Sequence, residues 1–306
     1  MLSLAQRRTS TSPARVPVGS RRSRIILTVI LIAGAMVTIF PFIWMILGSL
    51  KTMQEGMRFP PTFLPETWDW SNYKEAWQGP PGTLGRYLKN TVIIGVVGTG
   101  IQLFVCSLAA YAFAMLPIKG RETLFAVVLA TMMVPGEITL IPNFVTIRSL
   151  PFLGGNDWLG QGGTGLYDTY AGIILPGVVG AFNIFMLRQA FLQIPKDLWE
   201  AAQIDGSGSW RYLWQIVLPL SLPALITVGI FGLVGRWNGL LWPLVITRGE
   251  DLRPIQLAMI YFQGEYTTDN GLIMAASVMA TLPVVVIFLL MQKQFIEGIG
   301  STGLKG

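Results

Sequence analysis

The stretch that decides the fold is Thr91–Leu116, which reads T-V-I-I-G-V-V-G-T-G-I-Q-L-F-V-C-S-L-A-A-Y-A-F-A-M-L. It contains no charged residue, and the nearest charges on either side are Lys89 and Lys119. At a rise of about 1.5 Å per residue, a helix of about 20 apolar residues crosses the roughly 30 Å hydrocarbon layer of a membrane. We therefore expect Thr91–Leu116 to be a transmembrane helix.

The composition of the whole chain is typical of a protein with several such helices. Only 12% of its 306 residues are charged, against roughly 25% in soluble domains. Hydrophobic residues make up 52%, and the mean hydropathy is +0.56. The pI of about 9.6 would suit a nucleic-acid partner, but a chain with so few charges is not expected to bind nucleic acid. The predicted fold class is all-α, a polytopic membrane protein.

Charge-poor stretches define the other predicted spans, because an Arg, Lys or Asp at the centre of a membrane helix costs roughly 2.5–3.5 kcal/mol. Two of the stretches contain a charge, Glu137 in the third and Arg236 in the fifth. The third also contains Pro135 and Pro142, and the fifth is long enough to tilt or break. The six predicted spans are Ile25–Leu47, Thr91–Leu116, Thr123–Ile147, Tyr170–Leu187, Ile216–Ile246 and Gly271–Gln292.

The distribution of basic residues predicts the orientation, since cytoplasmic segments of membrane proteins are enriched in Lys and Arg. With the N-terminus inside, the inner segments hold 13 of the 22 basic residues, whereas the outer segments hold 8 of them and ten of the 16 acids. Both termini are therefore predicted to face the cytoplasm from a cell membrane. Residues 1–24 are predicted to be a cytoplasmic tail, and 25–306 the six-span domain. The first span is too long for a signal peptide, so we expect an uncleaved anchor.

Enzyme chemistry has little support in this sequence. There is no histidine, which is the commonest general base, and the single Cys106 lies in an apolar run typical of a packed thiol. Neither the glycine-rich lysine loop of nucleotide hydrolases nor the nucleophile motif of serine hydrolases is present. We expect no enzymatic activity and no cofactor bound by the chain itself.

The inner loop 188–215 is unusually long for a membrane bundle and is predicted to contain a short helix. Pro195 suits the first turn of a helix over about Lys196–Asp205, and Gly206 with Gly208 can supply the positive φ that ends it. Ser207 or Ser209 is expected to cap a second helix that leads into the fifth span. Leu198, Ala201 and Ala202 are expected on one face of the first helix, with Glu200 and Asp205 to either side.

Two interpretations of this loop stay open on the pattern alone. In the first, the helix docks onto a partner protein, because small residues allow close approach and an acid offers a charge. In the second, it is an amphipathic helix that lies at the membrane surface and caps the bundle, with Trp199, Trp210 and Trp214 at headgroup level.

A longer motif in this loop resembles a known family. Glu200-Ala201-Ala202, three residues, Gly206, nine residues and Ile216-Val217-Leu218-Pro219 match the E-A-A-x3-G-x9-I-x-L-P loop of binding-protein-dependent ABC importer permeases without a gap. Further similarities lie in Trp237-Asn238, Leu241-Trp242-Pro243-Leu244 and the C-terminal Gly298…Gly303-Leu304-Lys305-Gly306. Over about residues 25–306, the chain is similar to the shorter permease subunit of maltose-type carbohydrate importers.

The resemblance implies a set of partners and a role for the loop. Two permeases would form the translocation path, an ATPase dimer with ATP and Mg would dock from the cytoplasm, and an external solute-binding protein would deliver sugar. Glu200, Ala201, Ala202, Asp205 and Gly206 would belong to the coupling helix seated in the ATPase. The resemblance also implies that energy comes from a separate subunit, in keeping with the missing nucleotide motif.

Polar residues within the predicted spans are candidates for the sugar path. Charged residues in membrane helices usually face a bundle interior or a water-filled cavity. Glu137 and Arg236, together with the amides Asn183 and Asn238, are the candidate path residues. The alternatives are that the two charges lie near the interface or pair with each other, and that the two amides hydrogen-bond between helices.

The outer segments offer weaker predictions. Trp68, Trp70, Tyr73 and Trp77 lie in segment 48–90, and are expected in an aromatic belt or at a docking surface for the binding protein rather than stacked on sugar. The glycine-rich stretch 154–165 is expected to be a flexible surface loop.

Two other functions remain as alternatives, apart from import of a non-sugar solute such as a polyol phosphate. A stand-alone secondary transporter would need internal inverted repeats and its own ion-coupling site, and the sequence shows no clear repeat. An intramembrane enzyme would need paired catalytic residues, which are missing here.

Overall fold

The computed structural model describes residues 21–78, 84–265 and 269–303. Every regular element in these ranges is helical, which confirms the all-α prediction. Most of the predicted tail 1–24 and the last three residues of the C-terminal motif, 304–306, lie outside the described residues.

The helices fall into three long rods and a set of short segments that turn between them. Three-residue 3-10 turns follow α5 and α7, at Thr131–Met133 and Leu175–Gly177, and a π-helical turn follows α10 at Leu213–Val217. The α-helices are α1 Arg21–Gly48, α2 Met53–Gly56, α3 Ser71–Gln78, α4 Leu84–Met115, α5 Arg121–Ala130, α6 Leu140–Arg148, α7 Tyr170–Ile174, α8 Ala181–Leu192, α9 Lys196–Ile204, α10 Ser209–Tyr212, α11 Leu218–Leu220, α12 Leu222–Trp237, α13 Leu241–Ile246, α14 Ile255–Glu265 and α15 Asn270–Gly303.

Three of the described helices are long and apolar enough to cross a membrane: Arg22–Gly48, Leu84–Met115 and Asn270–Gln292. They correspond to the first, second and sixth predicted spans. In the most apolar 18-residue stretch of each helix, no residue of α1 is buried, whereas 39% of the residues of α4 are buried. Helix α4 is therefore the central rod, and α1 lies at the edge of the bundle against α15.

Two further predicted spans are bent pairs of helices. The fourth consists of Tyr170–Gly177 and Ala181–Leu192, which meet at 54°. The fifth consists of Ser209–Leu220 and Leu222–Trp237, which meet at 80° around Ser221. The prediction that the fifth span is long enough to break is confirmed, and α13 follows α12 after a second break at 238–240. The helices support up to five spans if each bent pair counts as one.

The third predicted span, Thr123–Ile147, is not a continuous helix. Helix α5 ends at Ala130, a 3-10 turn follows, and α6 begins only at Leu140. Pro135 and Gly136 lie in the break, where proline lacks the N–H that an uninterrupted helix would use. A six-span count therefore stays a prediction.

The buried side chains form clusters at the two ends of the bundle. One cluster lies at the end that carries loop 188–215 and joins the second half of α4 to α8, α10 and the π-helical turn. The other two lie at the opposite end: one joins the start of α4 to α3, α14 and α15, and the other joins α4 to α7 and α13. Helix α14 lies in a segment predicted as an outer loop, and it packs instead into the core through Ile255, Ala258 and Phe262.

Hydrogen bonds anchor the connections at that opposite end. In the glycine-rich loop, the amide of Asn156 donates to the carbonyls of Arg148 and Leu150 at 2.8 and 3.0 Å. Asn156 is buried, while most other residues of 154–165 are exposed, as expected for a surface loop. Backbone of this loop approaches itself too closely for side chains, which explains its many glycines.

Segment 48–90 is likewise anchored, around the buried carboxylate of Glu55. That carboxylate accepts from the Thr62 hydroxyl at 2.5 Å and from the Glu66 N–H at 3.1 Å. Burial raises the pKa of Glu55, but these hydrogen bonds and the nearby charge of Lys51 outweigh it, so the pKa lies below its ordinary value. The ionised form therefore stabilises this fold. Trp68, Trp70 and Trp77 remain exposed on it.

An arginine clamp, made by Arg188 with Glu122, Phe113 and Phe125, joins three helices beneath loop 188–215. Arg188 Nη2 contacts both carboxylate oxygens of Glu122 at 2.7 and 2.8 Å, and its Nε donates to the Phe113 carbonyl at 3.0 Å. The guanidinium lies 4.2 Å from the centre of the Phe125 ring. The Arg188 side chain is only 9% exposed, so the clamp holds the ends of α4, α5 and α8 around a nearly buried charge.

Removing the acid of the clamp is expected to destabilise the bundle. Glu122→Ala leaves a nearly buried guanidinium with fewer acceptors, at a cost of about 1–2 kcal/mol because Glu122 itself is largely exposed to solvent. The midpoint of thermal unfolding in detergent should fall by about 2–6 °C. Glu66→Ala is the matched control, since the Arg58–Glu66 pair is 58% and 60% exposed. Equal midpoints for the two variants would contradict this role.

Candidate coupling surface and interior polar cavity

Helix α9 occupies the part of loop 188–215 that the sequence assigns to a helix. It begins directly after Pro195 and ends at Ile204, one residue before the predicted end. Gly206 follows with φ at +72°. The N–H of Ser207 then donates to the Ala202 carbonyl at 2.8 Å, an arrangement that closes the last turn of many helices. The predicted glycine stop is confirmed at Gly206, whereas Gly208, also expected to supply a positive φ, has φ at −77°.

The second helix of the loop begins differently from the prediction. Gly208 precedes α10, and no side chain caps its first turn. Ser209 is instead the first helical residue, and Ser207 does not bond to the helix. The expectation of a serine cap is therefore wrong. The continuation into the fifth span is as expected, through the π-helical turn and α11.

The two faces of α9 differ from those predicted. Ala202 is buried and Trp199 is half-buried, and the Trp199 ring lies edge-on to Tyr212 of α10 with centroids 4.8 Å apart. Leu198 and Ala201, expected on the same face as Ala202, are exposed. Trp199 and Ala202, three residues apart, therefore form the inner face of α9. Leu198 and Ala201 lie on the outer face instead.

The outer face of α9 combines apolar and acidic side chains. Leu198 is 39% exposed and Ile204 is 87% exposed, and Ala201 lies between them. Glu200 and Asp205 are exposed beside them and take part in none of the ion pairs of the described residues. An almost fully exposed isoleucine flanked by free carboxylates is suited to contact with a protein surface of opposite charge.

Below α9, polar and aromatic contacts fix the loop to the rods. The Tyr111 hydroxyl of α4 donates to the Ser209 carbonyl at 3.0 Å. Together with the Trp199–Tyr212 contact, this bond ties α9 and α10 to the central rod. A displacement of α9 must therefore act on α4 and on the start of the fifth span.

Arg236, near the end of α12, lies inside the bundle and bridges three elements. Its Nη1 donates to the Gln102 side chain of α4 and, at 3.2 Å, to the Gly232 carbonyl. Its Nη2 donates at 2.6 Å to the carbonyl of Gly177, in the break of the fourth span. Gly98 leaves room for this side chain, because a Cβ there would overlap Nε. Arg236 and Glu137 do not pair in the described part of the chain.

The other predicted path residues make no hydrogen bond to Arg236 in the described structure. Glu137 is exposed in the turn before α6, and Asn238 is exposed after α12, where it accepts from Gln256 at 3.3 Å. Asn183 is half-buried in the first turn of α8, beside Gly180. Of the four residues, Arg236 lines the cavity described below, whereas Glu137 and Asn238 adjoin two other residues that line it, Gly136 and Gly239.

A cavity of about 280 Å³ lies beside Arg236 and is called the arginine cavity below. It is bounded by the second to fifth predicted spans. The helix breaks of the third and fourth spans both border it. Two polar residues here were missed in the sequence, Gln102 and Asn143. Gln102 is a lone amide within the charge-free stretch 91–116, a signal that could have identified it. The lining residues are Ile94, Gly136, Leu140, Asn143, Ile173, Ile174, Pro176, Gly177, Gly235, Arg236, Gly239, Trp242 and Pro243.

A larger cleft of about 580 Å³ runs between α4 and the fifth span. Its walls are almost entirely aliphatic and aromatic, with Leu103, Phe104, Trp214 and Leu225 among them. Such a surface offers few hydrogen-bonding groups to a hydroxylated solute. Within the described ranges, no three His, Cys, Asp or Glu side chains come close enough to hold a metal ion.

The close packing of Arg236 against α4 can be tested with two glycines of that helix. Gly98→Ala should displace the guanidinium and loosen its bonds to Gln102 and Gly177, with an expected cost of roughly 1–3 kcal/mol for overpacking. Gly100→Ala is the control, because nothing lies within 4 Å of a Cβ there. Thermal unfolding in detergent should separate the variants by several degrees. An unchanged midpoint in Gly98→Ala would contradict the close fit.

Comparison with known proteins adds the family to this geometry. Residues 102–300 match the family model for the binding-protein-dependent transport system inner membrane component. The lactose transport system permease protein LacG of Rhizobium radiobacter is 33% identical over 269 residues, which cover 88% of this chain and 92% of that protein. The arabinooligosaccharides transport system permease protein AraQ of Bacillus subtilis is 31% identical over 287 residues, covering 92% and 96%.

A solved structure has the same architecture. It is a crystal structure of a bacterial ABC transporter involved in the import of the acidic polysaccharide alginate. One of its chains aligns with a TM-score of 0.76 at 27% identity, and the match covers 92% of this chain and 100% of that chain. The chain therefore belongs to the family of inner membrane components of binding-protein-dependent transport systems, and it is a multi-pass membrane permease.

Proposed function

We propose that the chain is a transmembrane subunit of an ATP-driven sugar importer and forms half of its translocation path. The observation that carries the proposal is the outer face of α9, where Ile204 and Leu198 are exposed beside the free carboxylate of Glu200. The E-A-A…G motif of the family occupies this same helix and the turn that ends it.

In this proposal α9 is the coupling helix, and its partner is an ATPase dimer that binds ATP and Mg. Glu200 faces a basic residue of the ATPase, and Ile204 enters an apolar groove beside it. The two charges of such a pair attract each other more strongly once the apolar contact excludes water. Since this chain has no nucleotide-binding motif, the energy comes from the partner.

The contacts beneath α9 support a route from the coupling helix to the membrane spans. Trp199 packs on Tyr212, which directly precedes the π-helical turn and the 80° bend at Ser221. A movement of α9 would therefore rotate the start of the fifth span. The arginine clamp lies at the other end of the loop and would carry the same movement to α4 and α5.

The remaining partners follow from the same proposal. A second permease completes the path, and an extracytoplasmic solute-binding protein delivers the solute to the end opposite α9. Both termini face the cytoplasm, in keeping with the excess of basic residues in the segments assigned to that side. Membrane lipid surrounds α1, whose side chains are exposed along most of its length.

Sugars are the solutes that the relatives favour. The matched proteins are named for lactose, for arabinooligosaccharides and for the polysaccharide alginate. Glu137, Asn183, Arg236 and Asn238 remain the proposed path residues of this chain. Of these four, Arg236 has the strongest support, because it lines a cavity between the spans.

The outer face of α9 provides the first test. Glu200→Ala and Ile204→Asp should each abolish ATP-driven uptake into proteoliposomes that hold the assembled transporter, and should reduce co-purification of the ATPase. Both side chains are exposed in the chain alone, so its own thermal unfolding should change little. Gln203→Ala, also exposed on α9, is the control. Normal uptake in both variants would refute the coupling role.

The turn after α9 provides a second test through backbone geometry. Gly206 has φ at +72°, whereas Gly208 has φ at −77°, and both have open space around a Cβ. Gly206→Val should strain the turn by roughly 1–3 kcal/mol and redirect α9, so uptake should fall severely. Gly208→Val should retain most of it. Equal uptake in the two variants would show that the exit angle of α9 does not matter.

The energy source separates this proposal from a secondary transporter. Uptake by the reconstituted complex should require ATP and should persist when proton and sodium gradients are collapsed. Gradient-driven uptake by the purified chain alone would establish the secondary transporter instead.

A further inference from the structure

The charge in the lining of the arginine cavity is a single positive one. Arg236 is the only ionisable side chain among its lining residues. The ion pairs of the described residues join Arg58 to Glu66, Arg86 to Asp251, and Arg121 and Arg188 to Glu122. Arg236 belongs to none of them, so its charge has no counterion within the described chain.

The hydrogen bonds of Arg236 fix its position without neutralising it. All three are accepted by neutral oxygens, namely the Gln102 amide and the carbonyls of Gly232 and Gly177. Neutral dipoles offset part of the desolvation cost of a cation, but the net charge remains and acts strongly at low dielectric. An entering anion would meet a cation that is already oriented.

The guanidinium also retains donors for a ligand. An arginine carries five N–H groups, and the three bonds above use both of those on Nη1 and one of the two on Nη2. The second N–H of Nη2 and that of Nε make no bond to the described residues. Nε lies against Gly98 on α4, so Nη2 is the donor best placed for the cavity.

Two other lining groups suit a sugar ring. The side-chain amide of Asn143 makes no hydrogen bond with the described residues and can serve hydroxyl groups as donor and acceptor. Trp242 is held by bonds from its Nε1–H to the carbonyls of Gly172 and Ile173 at 3.2 and 3.1 Å. Its ring therefore lines the cavity in a fixed orientation and offers an apolar surface.

We infer that the arginine cavity is a binding site for a sugar that carries an oxyanion, such as a carboxylate, phosphate or sulfonate group. Arg236 binds the oxyanion through Nη2, Asn143 binds a ring hydroxyl, and Trp242 contacts the apolar side of the ring. The volume of about 280 Å³ lies near the lower limit of roughly 300 Å³ for small-molecule sites, so one ring enters at a time. This inference rests on the proposed import function and narrows its substrate to anionic sugars.

The test compares two probes that differ in one group: a uronate disaccharide, and the same disaccharide with its carboxylate reduced to an alcohol. Equilibrium binding is measured on the complete permease–ATPase complex in nanodiscs, without the solute-binding protein, so that delivery does not influence selectivity. The wild type should bind the uronate about tenfold or more tighter than the reduced sugar. Equal affinities for the two probes would overturn the inference.

Variants test whether Arg236 is responsible for the preference for the uronate. Arg236→Gln should remove the preference for the uronate, so that the two probes bind to the variant with equal affinity. Arg236→Lys should retain part of the preference, and Asn143→Ala should weaken both probes alike. Arg58→Gln, which changes a remote exposed arginine, is the control. A preference that survives in Arg236→Gln would overturn the inference.

A measurement on the wild type covers the case in which Arg236→Gln fails to assemble. Inorganic phosphate, at constant ionic strength, should compete with the uronate, and failure to compete would overturn the site. The proposed function is judged separately. ATP-driven uptake of the reduced sugar together with equal affinities would refute the anionic site alone, whereas α9 variants with normal uptake would refute the coupling proposal.

Discussion

The guanidinium of Arg236 lies within a membrane bundle, where hydrocarbon offers no acceptors, so the protein itself must supply them. It does so from three separate parts of the chain, through Gln102, Gly177 and Gly232. Each acceptor depends on a local feature: a lone amide in the central rod, a broken span, and a helix turn kept free of side chains. The arrangement of α4, the fourth span and α12 is thereby linked at one point.

The breaks in the spans become understandable from the same requirement. A helix that ends inside a bundle leaves carbonyls without intrahelical partners, and the fourth span ends one segment at Gly177. Arg236 uses that carbonyl, so the break and the charge satisfy each other. Pro135 and Gly136 interrupt the third span next to the same cavity. The breaks of the third and fourth spans therefore lie beside the polar groups of this cavity, whereas the rod α4 passes it unbroken and contributes Gln102.

Much of this fold could be predicted from charge alone, because charge-free stretches such as 91–116 allow few alternatives to a spanning helix. Helix α9 was also predictable, since Pro195 and Gly206 mark its ends by backbone chemistry. The inner face of α9 was not, because Ala201 and Ala202 are identical in kind and only the packing of Trp199 on Tyr212 decides which one is buried. The arginine cavity could not be predicted from the sequence, because Asn143 and Arg236 are far apart in the chain and no local pattern joins them.

Helix α1 has 28 residues, which corresponds to about 42 Å, and almost none of its apolar surface is covered by protein. A bilayer core of roughly 30 Å is shorter than this rod. The length that exceeds the core must be accommodated by tilting or by bringing the basic first turn into the headgroups. Its contacts among the described residues include those with α15 and, through Phe40 and Trp44, with Phe63, so the thickness of the host membrane influences the inclination of this helix.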